Sequence, residues 1–402
     1  MKQLLLNGHG ISMWIDSAKL HIKDGRFSPT EDPILYIYAP KRIDVENIVI
    51  YGNSGNISLD AIKWLIKHNV QISILNWDGK LLTTMLPPES VQVKTKFAQY
   101  HAFEDQKLRI EIARKFLEAK FQRTQLVLDW LNERYPTINN DFSKELALFA
   151  KGKSIADLMM VEGRIASHYW QNFTQIVPEN YEFESREYQK RPWGAGDAIN
   201  CMLNYGYALL EAECMKAINS AGLDCHVGFL HEMRIGKNSL AYDLQEPFRF
   251  LIDLAIINAI ENKIMDKKDF IRTENYNLRL RPTGAKKILA EIEQQFANKA
   301  NYKGQMWAWR YIIRDKATEL AYYLLGKSKK IDFSDAKLEL NRIDNQEIRE
   351  KIGKISYNEW TKLGFSKGSL HYLKQNAKSE KPFKIYEPMM EKIENLSGSL
   401  PH

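Results

Sequence analysis

The feature that most constrains this chain is a change of pattern near residue 90. Residues 1–85 contain short β-branched and aromatic runs separated by Asp-Gly, Asn-Ser-Gly and Pro, which is the pattern of strands and turns. Residues 91–135 contain neither glycine nor proline, and positions suited to an apolar helix face recur there at Phe116, Leu117, the stem of Lys120 and Phe121. The chain therefore joins a small β domain to a helical region.

The pattern predicts an α+β multidomain fold with three parts. A small N-terminal β domain takes residues 1–86, and Ser58 caps the one helix that interrupts it. A large all-α domain takes residues 91–326, and a linker with a C-terminal helix-turn-helix domain takes residues 327–402. The length of 402 residues agrees with two or three domains, and an apolar content of 44% is enough to give each a core.

The cysteines and the apolar runs exclude several classes of protein. Three cysteines without CxxC spacing support neither a disulfide framework nor a zinc knuckle, and no spacing makes Cys225 and His226 a zinc pair with His231. The N-terminus lacks the apolar core of a signal peptide, and the most apolar run, residues 248–260, is too short to span a membrane. We expect a soluble cytoplasmic protein with no membrane partner.

Positive charge is concentrated near the C-terminus. The chain has 57 Lys and Arg against 50 Asp and Glu, a formal net charge of +7. Residues 327–384 alone hold 14 Lys and Arg against 8 Asp and Glu, a net charge of +6. A basic segment of this kind permits an anionic partner.

One acidic residue occupies an apolar position of a predicted helix. The helix that begins near Ile155 places Leu158, Ile165 and Tyr169 on one face, and Glu162 completes their spacing. Burying an unpaired carboxylate is costly, so Glu162 must find a cation, protonate, or line a cleft. A structural salt bridge to an arginine of another helix would meet the same requirement.

A second polar group lies in the segment GFLHEMRIGKNSLAYDLQEPFR. Asp243 and Glu246 precede an apolar helix, and Pro247 suits a first helical turn, where negative charge is stabilised. The two acids could therefore be an ordinary acidic helix start, and His231 a packed histidine. Together with Glu162 they form a mixed oxygen and nitrogen donor set, which suits Mg²⁺ or Mn²⁺ better than structural Zn²⁺. Such a site performs phosphoryl chemistry.

Several segments of this chain resemble one known family, the CRISPR-associated integrases, whose members insert spacer DNA into CRISPR arrays. The similar segments are MMVEGRIASHYWQNF, RPWGAGDAINCMLNYGYALLEAE and GLDCHVGFLHEMRIGKNSLAYDLQEPFR, with GHGISMWIDSAKL and WLIKHNVQISILNWDGKLL nearer the N-terminus. The likeness covers most of residues 1–325, and the order of the Glu, GFLH and DLxE motifs is specific.

The resemblance implies a reaction and a set of site residues. Glu162, His231 and Glu246 would correspond to the metal triad of the family, with Asp243 as a supporting acid, although Asp243 and Glu246 could exchange roles. The implied activity is that of a DNA integrase and endonuclease. A 3′-OH DNA end attacks target DNA by transesterification, with Mg²⁺ or Mn²⁺, and branched intermediates are disintegrated in reverse. Family members form homodimers, so the implied partners are double-stranded DNA and a second copy, with higher assembly on DNA as an option.

The tail is longer than is usual in the family and reads as a helix-turn-helix. Ser356 and Glu359 form a capping box, and Ser366 can cap a second helix whose Leu370 and Leu373 point inward. The residues left to face phosphates or bases are Lys367, Ser369, His371, Lys374 and Lys378. Casposases, the transposases of casposons, carry a similar appended domain. The alternative is a solvated basic hairpin that only docks on the body.

Phosphate contacts within the helical domain are expected from basic residues that flank the motif segments, namely Arg186, Lys190, Arg191, Arg272, Arg279 and Arg281. The leading interpretation is a casposase, which would join mobile-element ends to target DNA. A CRISPR spacer-acquisition integrase is the close rival. A non-catalytic DNA-binding scaffold, in which the triad is only a buried polar network, is the alternative from another class.

Overall fold

The computed structural model describes residues 2–26, 32–52, 54–76, 79–86, 92–135, 137–186, 195–272, 277–338, 340, 342–343, 346–378 and 384–396. The chain divides into two units, one made of residues 1–124 with 141–336 and the other of residues 125–140 with 337–402. Each unit contains an apolar core of its own.

The described residues of the range 2–85 build two four-stranded sheets and one helix, as the strand and turn pattern predicts. The first sheet has the order β1-β5-β7-β8, with β8 antiparallel to the rest, and the second has the order β4-β3-β2-β6. The elements are β1 (Lys2–Gly8), β2 (Ile11–Asp16), β3 (Lys19–Lys23), β4 (Leu35–Tyr38), β5 (Val45–Gly52), β6 (Gly55–Ile57), α1 (Leu59–Lys67), β7 (Gln71–Leu75) and β8 (Leu81–Met85). The Ser58 hydroxyl accepts a hydrogen bond from the Ala61 N–H at 3.1 Å, which confirms the predicted cap.

The two faces of the first sheet differ because side chains alternate along a strand. On one face Leu6, Ile48 and Ile72 join the core that both sheets share with α1. On the other face Gln71 donates to the Ser73 hydroxyl at 3.0 Å and to the main-chain oxygen of Ala212 at 3.2 Å. This buried polar face thereby fixes the sheet against the helix that contains Ala212.

Residues 93–324 are mainly helical. The helices are α2 (Val93–Glu104), α3 (Gln106–Asn132), α4 (Ser143–Lys151), α5 (Ile155–Thr174), α6 (Ala198–Ser220), α7 (Ser239–Gln245), α8 (Phe250–Glu261), α9 (Pro282–Ala297) and α10 (Trp309–Leu324). Almost every residue of α6 is buried, so this helix is the centre around which its neighbours pack.

Two short hairpins in the same region correct the expectation that it is purely α-helical. They pair β9 (Phe270–Arg272) with β10 (Leu278–Leu280), and β11 (Lys299–Tyr302) with β12 (Gln305–Ala308). The second hairpin turns through Lys303 and Gly304, which both have positive φ angles of 51° and 77°. Tight two-residue hairpin turns need this geometry, and Lys-Gly is not among its common sequence signals.

The C-terminal segment forms a small helical group, as predicted. Its elements are β13 (Arg342–Ile343), α11 (Gln346–Lys354), α12 (Tyr357–Lys362), α13 (Lys367–Ala377), β14 (Lys384–Ile385) and α14 (Glu387–Leu396). The Ser356 and Glu359 capping box and the Ser366 cap are both present. Trp360, Leu370 and Leu373 are buried in a core formed by these helices.

In the part of the chain that the structure describes, no helix combines the length and the apolar character needed to cross a lipid bilayer. The cytoplasmic location and the domain boundaries at residues 86 and 326 stay predictions.

Replacing Gly206 on α6 by alanine should destabilise the first unit. An added Cβ would overlap the Cγ2 atom of Ile252 on α8 and lie 3.3 Å from the Cδ1 atom of Ile292 on α9. Overpacking of this kind costs about 1–3 kcal/mol, and the gain in helix propensity of up to about 1 kcal/mol only partly offsets it. Gly163→Ala on α5 is the matched control, since nothing lies within 4 Å of its Cβ position. Thermal unfolding should show a lower melting temperature for Gly206→Ala only, and equal values would contradict this packing.

Candidate active site

A cleft of about 900 Å³ lies among the helices of the first unit. Glu162 on α5, His231 in the loop before α7, and Glu246 just after α7 all line it, although they are far apart in the sequence. The cleft is also lined by three basic residues, Lys120, Arg186 and Arg249. Only Asp243 of the four predicted site residues is not part of the lining, because it lies behind His231.

Glu162 reaches the cleft because the apolar stripe of α5 opens to solvent at this point. Leu158, Ile165 and Tyr169 are buried, while the Glu162 side chain is 20% exposed. Its Oε1 atom accepts a short hydrogen bond from Nζ of Lys120 on α3. Glu162 thus pairs with a cation and also lines a cleft, and either arrangement offsets the cost of burying its charge. The cation is Lys120 rather than an arginine.

Asp243 organises the loop that carries His231. Its carboxylate, fully buried in α7, accepts hydrogen bonds from the main-chain N–H groups of Phe229, Leu230 and His231, the last two at 3.0 and 2.9 Å. It also contacts Nδ1 of His231 at 2.8 Å. A carboxylate beside Nδ1 fixes the proton on that nitrogen, so Nε2 of the neutral ring carries a lone pair. Asp243 therefore orients the imidazole, and its oxygens are already engaged.

Gly228 allows the loop to approach Asp243 so closely. A Cβ at this position would lie 2.8 Å from Oδ2 of Asp243 and 2.9 Å from the main-chain oxygen of Ser239. Backbone atoms cannot move aside as a flexible side chain can, so this position requires glycine. The small residue in the GFLH motif is thus explained by space.

Glu246 begins a 3₁₀ turn over Glu246–Phe248, with Pro247 in its first turn. The expectation of a helix start therefore holds for Glu246, whereas Asp243 lies inside α7, which is a correction. Oε2 of Glu246 lies 2.6 Å from Nζ of Lys120, and Oε1 lies 3.7 Å from Nη1 of Arg249. Burial by itself raises the pKa of Glu246, but the charges of Lys120 and Arg249 outweigh it and hold the pKa below its usual value. Glu246 is consequently ionised.

A buried polar network supports this part of the cleft from below. Asp253 on α8, which interrupts the apolar run, accepts hydrogen bonds from the hydroxyls of Tyr169 at 3.0 Å and Tyr207 at 2.6 Å. The guanidinium of Arg249 lies over the Tyr207 ring, 3.9 Å from its centroid. The network ties α5, α6 and α8 together and fixes the position of Arg249 next to Glu246.

The basic residues predicted for the helical domain are not all at the cleft. Arg186 lines it, and its guanidinium donates to the side-chain oxygens of Asn200 at 2.6 Å and Asn204 at 2.8 Å. Arg272 on β9, Arg279 on β10 and Arg281 before α9 lie outside its lining. Lys190 and Arg191 lie outside the described residues.

The five predicted residues of the tail are exposed or partly exposed, on or next to α13. Lys367, His371 and Lys378 are exposed and Lys374 is partly exposed, with its Nζ 3.1 Å from the main-chain oxygen of Gly353. Ser369 is different, since its hydroxyl accepts from the Trp360 indole at 2.8 Å and donates to the Ser366 oxygen at 2.7 Å. The Ser369 hydroxyl thus holds α12 and α13 together.

The contacts of Lys120 with both acids are not predicted from the sequence. The sequence pattern places only the stem of Lys120 on the apolar face of α3. The signal for an ion pair is that a lysine interrupts the apolar stripe of α3 while Glu162 interrupts the apolar stripe of α5. A different cluster, Asp224, Cys225 and His226, brings three ligand atoms within 4.8 Å of one another. That cluster lies on a single turn outside the cleft lining, and the Asp224 carboxylate already accepts from the Tyr100 hydroxyl at 2.9 Å.

The protein combines a two-sheet β region with a helical region. Its cleft contains two carboxylates and an oriented imidazole, and comparison with known families identifies the class of protein that has these features. The family model of CRISPR associated protein Cas1 matches residues 16–294, well over half of the chain. The chain belongs to the Cas1 family, which confirms the resemblance found in its sequence. The CRISPR-associated endonuclease Cas1 1 of Archaeoglobus fulgidus is 29% identical over 347 residues, which are 81% of this chain and 97% of that protein.

Among solved structures, a casposase bound to integration product is 60% identical, with a TM-score of 0.84, and the match covers 89% of this chain and all of that one. This coverage exceeds residues 1–325, so the likeness extends into the tail. A CAS1 protein from Thermotoga maritima shares the fold, with a TM-score of 0.67 and 19% identity over 81% of this chain and 97% of that one. The Cas1 endonuclease 3 of Thermus thermophilus is 30% identical over 71% of this chain and 84% of that protein.

Replacing Asp243 by asparagine should lower the pKa of His231. Burial lowers this pKa, but the hydrogen bond and the charge of Asp243 raise it above its usual value, with a smaller contribution from Glu246. The amide has no charge, so the imidazolium should lose its proton at a lower pH. Histidine NMR titration would measure the change. Glu246→Gln is the comparison and should produce a smaller decrease, and an unchanged pKa in Asp243→Asn would contradict the assigned contact.

Proposed function

We propose that this protein is a DNA integrase of the casposase type, which joins 3′-OH DNA ends to target DNA by transesterification. The observation that supports this most directly is the cleft that Glu162, His231 and Glu246 all line. The match to a casposase at 60% identity, against 29% for the Archaeoglobus Cas1 protein, favours a casposase over a CRISPR spacer-acquisition integrase.

The residues present fit a divalent metal ion. Two carboxylates and one neutral imidazole are a donor set that suits Mg²⁺ or Mn²⁺. Oε2 of Glu246 and Oε1 of Glu162 both contact the ammonium of Lys120, so these two oxygens already share one cation. Asp243 acts on the ligand set through His231, as second-sphere carboxylates commonly do in metal sites.

The charges around the cleft are balanced in a way that suits a phosphodiester. Its lining contains three acidic residues, Glu162, Glu184 and Glu246, and three basic ones, Lys120, Arg186 and Arg249. These six charges cancel, and a divalent ion would make the lining positive. A phosphodiester and the developing alkoxide of an attacking hydroxyl would then both be attracted to it.

Each residue has a defined part in the proposed reaction. Glu162, His231 and Glu246 would hold the metal, and Asp243 would keep the imidazole proton on Nδ1. Arg249 and Arg186 are positioned to bind non-bridging phosphate oxygens, since each guanidinium is fixed by neighbours of α6. The ion, when bound, would polarise the scissile phosphodiester and favour ionisation of the attacking 3′-hydroxyl.

The tail would supply DNA binding in addition to the chemistry of the cleft. Lys367, His371, Lys374 and Lys378 on or next to α13 are the proposed contacts, and the hydrogen bonds of Ser369 within the hairpin make it a weaker candidate. A homodimer, and higher assembly on double-stranded DNA, remain part of the proposal because the family resemblance implies them.

Replacing Glu162 or Glu246 by glutamine should strongly slow strand transfer. The loss of a metal ligand should lower the rate on the order of a hundredfold or more, by the usual cost of losing one charge-stabilising group. The assay joins a short duplex with 3′-OH ends to supercoiled plasmid in Mn²⁺. Glu184→Gln is the matched control, since this acid lines the cleft outside the triad.

The same assay separates the catalytic proposal from the scaffold alternative. The salt bridges of Lys120 with Glu162 and Glu246 would suit a purely structural network, in which case no metal-dependent product forms and the glutamine variants mainly lose stability. Ends with 3′-dideoxy termini should give no joined product, because the nucleophile is absent. Undiminished joining by Glu162→Gln would refute the proposed site.

Replacing Lys367 and Lys378 together by alanine should weaken DNA binding in a salt-dependent way. If both contact phosphates, the slope of log affinity against log salt should decrease by about 0.9 per lysine. Fluorescence anisotropy with labelled duplex at several salt concentrations measures the slope. Lys63→Ala on α1, whose lysine is 69% exposed and paired with Asp60, serves as the control. An unchanged slope in the double variant would count against α13 as a DNA-binding helix.

A further inference from the structure

The ammonium group of Lys120 lies between the two carboxylates that the proposed function assigns to the metal. It donates to Oε1 of Glu162 and lies 2.6 Å from Oε2 of Glu246. The three side chains are 13%, 20% and 8% exposed, so water screens this group only weakly. Lys120 therefore neutralises charges that would otherwise repel each other in a partly dry cleft.

A lysine in this position cannot remain there when a metal ion binds. Nζ contacts one oxygen of each acid, and a cation held by the same carboxylates would be repelled by the ammonium at close range. The lysine stem has four carbons and can swing, whereas the guanidinium of Arg249 is fixed over Tyr207. Lys120 thus contacts both acids, and its flexible stem allows the ammonium to move away when a metal ion binds them.

The displaced ammonium needs a new anionic partner inside the cleft. Glu184 is the other acid of the lining, and it is exposed to solvent. A DNA strand would bring a better partner, because each phosphodiester presents non-bridging oxygens carrying one negative charge. An ammonium group of this kind is a common partner for phosphate.

We propose that Lys120 is a catalytic residue that leaves Glu162 and Glu246 when the metal binds and contacts a non-bridging oxygen of the scissile phosphate. This inference depends on the proposed function. It makes Lys120 a competitor of the metal in the free protein and a partner of the substrate in the complex. DNA and metal consequently bind cooperatively, since the phosphate accepts the ammonium that the metal expels.

Two measurements on the full chain test the proposal without turnover. Mn²⁺ binding, followed by the loss of the free-ion EPR signal, is compared with and without a short duplex carrying 3′-dideoxy ends. In the wild-type protein the duplex should tighten Mn²⁺ binding on the order of tenfold. In Lys120→Met the free protein should already bind Mn²⁺ on the order of tenfold more tightly than wild type, and the duplex should add little. A double variant with Glu162→Gln and Glu246→Gln measures how much Mn²⁺ binds outside the proposed site, including on the DNA.

Lys115→Met is the matched control, because Lys115 is on the same helix and pairs with Glu118 outside the cleft lining. Lys120→Met leaves two acids without their cation, so its melting temperature should fall and Mn²⁺ should raise it more than in wild type. Lys120→Arg retains the charge and should bind Mn²⁺ as weakly as wild type. In strand transfer, Lys120→Met should need less Mn²⁺ for half-maximal rate and yet have a lower maximal rate, a split that a merely structural lysine would not produce.

The possible results separate the two proposals. If the double variant with Glu162→Gln and Glu246→Gln binds Mn²⁺ as tightly as wild type, the proposed metal site itself is wrong. If wild type binds Mn²⁺ through these acids but the duplex does not tighten binding, the role of Lys120 is wrong while the proposed function stands. This second outcome needs no variant of Lys120, so it holds even if Lys120→Met fails to fold. Equal Mn²⁺ affinity in a folded Lys120→Met protein and wild type would overturn the role as well.

Discussion

The cleft depends on one constraint, which is that two carboxyl groups lie near each other with little access to water. Glu162 comes from α5 and Glu246 from the turn after α7, and a cation between the two acids stabilises this packing. In the free protein, that cation is Lys120 from α3. This contact joins two helices and a turn, and in the proposed function a metal ion would take the place of the ammonium.

Much of the fold could be predicted from the sequence because local patterns and tertiary packing agree there. The strands in residues 1–85, the Ser58 cap, the helix from Ile155 and the two caps of the tail are all confirmed. Each of these features depends on a turn residue, a capping side chain or an apolar period. Such signals are local, because they involve residues that are close together in the sequence. The resemblance in the motif segments is confirmed by the match to the Cas1 family model.

The parts that could not be predicted depend on partners distant in the sequence. The residues next to Lys120 in the sequence do not show that its ammonium contacts Glu162 and Glu246. This contact requires α3, α5 and the turn after α7 to be packed together. The positions of Asp243 and Glu246 were open for the same reason, and the structure separates them by their contacts. Asp243 faces the loop, while Glu246 faces the cleft. The hairpin through Lys303 and Gly304 was missed because a lysine rarely adopts positive φ.

The loop around Asp243 has a consequence for how this protein tolerates sequence drift. The carboxylate is bound by peptide groups of residues 229–231 rather than by their side chains, the His231 ring excepted. Phe229 and Leu230 can consequently be exchanged for other residues without removing a single donor, provided that the exchanges preserve the packing. Gly228 has no such freedom, since its neighbours leave no space for a Cβ. Relatives that have diverged widely elsewhere could thus keep the same imidazole orientation with very few identical letters.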